Sequence, residues 1–104
     1  MTFIARLMGW EAADRFAESM ASQFANHVSI ASCTHARSVD RAFLSVLAQT
    51  KGEIRKNNWR GSVVARLAHT FGWKLTAMGY PKDLSLSLAQ KLAIELARDK
   101  KPAG

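Results

Sequence analysis

A small four-helix bundle, all-α in class, is what this 104-residue sequence predicts. Four segments repeat their apolar residues at the helical period of about 3.6, none alternates with the period of 2 that a half-buried strand needs, and the breaks between them hold asparagine, glycine and proline. A chain of this length has material for one hydrophobic core, so residues 1–104 are expected to form one domain.

The first helix is expected over about 10–26. At about 100° per residue, Ala13, Phe16, Ala17, Met20 and Phe24 fall on one arc and Glu11, Asp14 and Glu18 on another. Acids in the first turns also suit the positive end of the helix dipole. HVSIASCTHAR, residues 27–37, keeps no period and reads as a connection with room for one ordered turn.

Ser38 is a candidate N-cap for a second helix over 38–56, because its hydroxyl can accept from a free backbone N–H of the first turn. Val39, Phe43, Val46, Leu47, Thr50 and Ile54 form its buried stripe, and Gly52 costs about 1 kcal/mol against alanine without forcing a break. Asn57 and Asn58 are stop residues, since asparagine tolerates the left-handed conformation.

Ser62 is expected to cap a third helix over 63–78, buried through Val64, Leu67, Phe71, Leu75 and Met78; Gly79 and Pro81 end it. Asp83 then caps a fourth over 84–99, with Leu84, Leu88, Leu92 and Leu96 in line and Ala89 and Ala93 widening the face. The tail KKPAG, 100–104, is expected to fray. Short connections favour an up-and-down order, with an orthogonal arrangement as the alternative.

The net charge of +7 points to phosphate-bearing or acidic partners. It is unevenly spread: residues 1–33 hold two cations against three acids, and residues 34–104 thirteen against five. No apolar run is long enough for a membrane span, and the opening MTFIARLMGW lacks the features of a secretory signal. With one cysteine, Cys33, the expectation is a cytoplasmic protein. His27, Cys33 and His35 lie close in sequence but form no CxxC or HxxxH pair, so no metal is expected. Nothing resembles a glycine-rich phosphate loop, a nucleophile with its base or a paired acid–base site; neither a cofactor, a small-molecule substrate nor an enzymatic activity is expected.

The candidate site begins in GEIRKNNWRG, residues 52–61, where cations, amides and an aromatic share one turn. Arg37, Arg41, Lys51 and Arg55 span an arc of about 80° on the second helix, with Leu44 and Ala48 on the same flank, and Lys56 follows. Trp59 and Arg60 occupy the turn, and Arg66, His69 and Trp73 on the third helix fall together away from its core arc, with Lys74 at their edge. Arginines grip backbone oxygens and tryptophans stack on bases, so these residues are expected to bind DNA or RNA by its phosphates, with Trp59 or Trp73 stacking.

In VVARLAHTFGWKLTAMGYP, Ala68 and Gly72 have the separation of the small residue and turn glycine of the helix-turn-helix motif, and Leu67 precedes as expected. The resemblance covers about 20 residues. It implies a DNA-binding repressor with a recognition helix from Lys74, which Pro81 would cut after about one and a half turns, and a helix continuous through Gly72 is preferred. In size, charge and class the chain is also similar to small helical subunits of CRISPR effector complexes, though no motif carries that likeness. A non-catalytic nucleic-acid-binding subunit, working beside other protein subunits, is thus the expected function. The alternatives are an adaptor or inhibitor that binds an acidic partner, and the repressor.

Overall fold

A computed structural model describes residues 2–32 and 35–99, with side chains over 10–31 and 35–98. Four helices form the bundle: α1 (Thr2–His27), α2 (Ala36–Asn57), α3 (Gly61–Ala77) and α4 (Lys82–Asp99), with one 3-10 turn at Ile30–Ser32 between the first two. The expected fraying of 100–104, and Cys33, lie outside the described residues. No described helix is long and apolar enough to cross a membrane.

The apolar stripes become the core. Ala13, Ala17, Met20 and Phe24 of α1, Val39, Phe43, Val46 and Leu47 of α2, Leu67, Phe71 and Leu75 of α3, and Leu88, Leu92 and Leu96 of α4 are all buried. Phe16, Ile54, Val64, Met78 and Leu84 are partly buried around them. Thr50, wholly buried, donates its hydroxyl proton to the Val46 carbonyl at 2.7 Å, so its burial leaves no donor unpaired.

Helix starts depart from the capping expectations. α1 begins at Thr2 instead of Trp10, because Ile4 to Met8 contains no breaker and Gly9 is tolerated at about 1 kcal/mol. α2 starts ahead of Ser38, with His35 as N-cap, and α3 ahead of Ser62, with Arg60 as N-cap; both caps are extended and neither makes a side-chain cap bond. α4 starts at Lys82 instead of after Asp83, and the Ser85 N–H donates to the Pro81 carbonyl. The stops agree with expectation: Asn58 is left-handed (φ 55°), and Gly79 (φ 109°) sits in a region where a side chain would be strained.

The helices alternate in direction, but their order around the bundle is α1, α3, α4, α2. Paired residues advance together along α1 and α3: Asp14 meets Arg66, Glu18 meets Lys74, and Phe24 packs edge-on to Phe71 at 6.3 Å and to Tyr80 at 5.7 Å. α1 and α3 share the broadest interface, α3 and α4 the next, and α2 packs more sparsely on α1 and α4. α2 and α3 have almost no common face, so the connection 58–60 must cross the end of the bundle. A simple up-and-down ring would have packed them side by side.

The α1–α3 interface is sealed by the Tyr80 hydroxyl, which donates to the Val28 carbonyl in a buried setting. Tyr80→Phe removes the donor and leaves that carbonyl without it, at an expected cost of about 1–2 kcal/mol. Thermal unfolding followed by circular dichroism should then show a midpoint lower by roughly 4–15 °C. An unchanged midpoint would show that the bond contributes nothing.

Candidate nucleic-acid interface

Trp59 sits where the connection 58–60 crosses the bundle. Its backbone N–H donates to the Ile54 carbonyl at 3.1 Å, and the ring meets Phe16 of α1 edge-on at 6.1 Å. Ile54, Val64 and Leu96 complete the surrounding cleft, so α2, α3 and α4 all supply wall. At 8% exposure Trp59 belongs to the core, and its expected stacking role is corrected: the crossing of the chain over an apolar bundle end demands a large plug. Arg60 beside it stays exposed.

The cations of α3 face α1. Arg66 Nε and Nη2 both donate to the Asp14 carboxylate at 3.0 Å, Thr70 Oγ1 adds a third bond at 3.1 Å, and the guanidinium lies 5.3 Å from the Trp10 ring centre. These hydrogen bonds and the carboxylate charge raise the Arg66 pKa above its ordinary value, so it stays charged throughout the accessible pH range. Lys74 Nζ lies 2.7 Å from Glu18. Asp14 and Glu18, four residues apart, therefore hold the two cations that the sequence suggested for phosphate. Of the expected α3 group, Arg66, His69 and Trp73 are exposed, Trp73 at 66%, and His69 and Trp73 lie apart from these ion pairs.

α2 presents the other cations differently. Its core arc faces α1 and α4, which leaves Arg37, Arg41, Lys51 and Arg55 on the outward side. The acids of the helix do not interrupt them: Asp40, at the edge of the cationic arc, lies 3.8 Å from Lys91 of α4, and the Glu53 carboxylate accepts from the Asn57 amide at 3.1 Å. Arg37, Arg41, Lys56 and Arg60 are exposed and form no ion pair among the described residues. Leu44 stands among them, 61% exposed. At the N-terminal end, Arg37, Ser38, Arg41 and Ser45 line a cleft of about 640 Å³ with His27 from the end of α1.

The structure thus divides the sequence-predicted site. Arg37, Arg41, Lys51, Arg55 and Lys56 share α2, Arg60 continues from its end, and His69 and Trp73 lie on a helix with which α2 has almost no contact. α3 runs unbroken through Gly72, which overturns the helix-turn-helix reading. The glycine answers to packing: a Cβ built there would lie 2.6 Å from the Ala89 Cβ and 3.1 Å from the Ser85 carbonyl oxygen, so its absence lets α3 and α4 approach closely. His27, which the sequence raised only in connection with a metal, is a lining residue of the α2 cleft outside the expected site. Among the described residues no group of His, Cys, Asp and Glu is placed to hold a metal. The chain matches no family model, no curated protein and no solved structure.

Proposed function

We propose that the chain is a non-catalytic, cytoplasmic nucleic-acid-binding domain of a larger nucleoprotein assembly, holding DNA or RNA by its phosphates on the outward face of α2. The observation that carries this is the segregation of charge. Acids of α1 answer the cations of α3, whereas the outward arc of α2 carries arginine and lysine, and Asp40 at its border lies by Lys91 of α4. From Arg37 to Arg55 the face runs ~27 Å along the helix axis. That matches about eight steps of a B-form strand at about 3.4 Å each.

Long cationic side chains on a convex helix contact phosphates, and with Trp59 buried this face offers no aromatic to stack on a base. Binding is accordingly independent of sequence. Reversing two charges at the cleft, Arg37→Glu with Arg41→Glu, should weaken binding of a fluorescent 20-nucleotide DNA or RNA by about 10- to 100-fold. The slope of log K against log salt should fall by about 2. Lys74→Gln, whose cation already meets Glu18, should change affinity less than about twofold. Wild-type affinity in the double variant would refute the assignment.

Leu44, apolar and exposed amid these cations, favours a second reading in which the same face meets an acidic protein. Binding to an acidic polypeptide that outcompetes nucleic acid would establish it.

A further inference from the structure

The contact between Gly72 and Ala89 brings α3 and α4 together and leaves a shallow groove along their outer side. Its walls are Trp73 and Leu86, exposed at 66% and 55%, and its floor is Gly72 and Ala89. Thr76, His69 and Lys82 stand at the rim, and no carboxylate lines it among the described residues. Asp83, the nearest acid in sequence, projects about 100° round α4 from Lys82.

From this geometry we infer that the groove docks an acidic amphipathic helix of a protein partner, with one apolar side chain seated beside Trp73 and its carboxylates facing Lys82 and His69. Three considerations select this occupant. The cleft measures about 170 Å³, below the roughly 300–1,000 Å³ of small-molecule sites and on the scale of a single anchoring side chain. An exposed tryptophan walled by leucine has the composition of an interface hot spot, and a groove between two helices accepts a third. The rim carries Lys82 and, among the described residues, no carboxylate, so an acidic helix is complementary to it, whereas a second copy would bring a chain of the same net charge of +7. Among the described lining residues a nucleic-acid strand would find phosphate partners in Lys82 and His69, fewer than on α2.

This surface is separate from the α2 face, so the two can be tested independently. The probe is a synthetic 20-residue amphipathic helix with leucines at i, i+4 and i+7 and glutamate on its polar face, compared with the same peptide carrying lysine for glutamate. Titrated into isotopically labelled protein, the acidic peptide should shift the resonances of Trp73, Thr76, Leu86 and Ala89. It should bind at least tenfold more tightly than the lysine peptide. Trp73→Ser, a change at an exposed position that the fold tolerates, and Lys82→Glu should each weaken it at least tenfold, whereas Arg37→Glu should leave it unchanged. Equal binding of the two peptides would overturn the inference. So would self-association abolished by Trp73→Ser, or an oligonucleotide that shifts the groove resonances more than the acidic peptide does.

Discussion

Trp59→Ala is expected to destabilise the domain by about 3–5 kcal/mol, the largest loss from any single truncation in the turn. Small domains have about 5–15 kcal/mol in total, so the variant should sit near the edge of folding at 37 °C. The reason is where the ring lies. It packs on Phe16 and closes a space walled by Ile54, Val64 and Leu96, so its removal opens a cavity to which all four helices contribute. Such a cavity collapses poorly, because relaxing one wall moves the others away. Urea unfolding would measure the loss, and Trp59→Phe should recover most of it. If Trp59 were instead a base-stacking residue, alanine would leave stability within about 0.5 kcal/mol and act on binding. With the ring in the core the opposite holds: folded Trp59→Ala protein at low temperature retains its salt-dependent affinity.

The second large effect is expected at Gly72. In an ordinary helix interior, alanine for glycine stabilises by about 1 kcal/mol. At this position the added methyl would stand 2.6 Å from the Ala89 Cβ and 3.1 Å from the Ser85 carbonyl oxygen. Neither neighbour is the end of a flexible side chain, so α3 and α4 would have to separate. Overpacking of this kind costs about 1–3 kcal/mol, which outweighs the propensity gain, and Gly72→Leu should cost more. A double-mutant cycle gives the diagnosis: Ala89→Gly should partly rescue Gly72→Ala by removing the nearer contact, while the Ser85 carbonyl remains. A Gly72→Ala protein more stable than wild type would mean that the helices are not held at this distance. The same separation would reshape the groove beside Trp73, so Gly72→Ala should also weaken peptide docking there.

Periodicity made the helices legible because the bundle buries each stripe whole. Phe24, Phe43, Phe71 and Leu92 are buried where spacing alone put them in line. Caps were less legible. A favourable N-cap contributes about 1 kcal/mol, and the path of the chain into α2 and α3 decides the start instead, leaving His35 and Arg60 in extended conformations ahead of Ser38 and Ser62. The order around the bundle was hidden as well, since a three-residue connection suggests neighbours and in this chain crosses the bundle end.

The site was half legible. The cationic arc of α2 follows directly from the 100° step, and the helix turns that arc away from α1 and α4. What a helical wheel cannot show is pairing between residues some fifty positions apart, and that is what gives Arg66 and Lys74 carboxylate partners on α1. A hint was present in the charge distribution: the acidic first third of the chain has to lie somewhere, and Asp14 and Glu18 share a face four residues apart. Trp59 and Trp73 could not be told apart by type. One falls in a crossing over the core and the other on an outer helix face, and only the packing of α2 against α1 and α4 instead of α3 distinguishes them.

That α2 holds nucleic acid by its phosphates is tested most directly by the affinity of the intact chain for a 20-nucleotide single strand and for a duplex of the same length, measured from about 50 to 300 mM salt. With four to six cations engaged, the slope of log K against log salt should be about −3 to −4 for the single strand and about −4 to −5 for the duplex, whatever the base sequence. A slope near zero, or no retention of either ligand at the lowest salt, would contradict it.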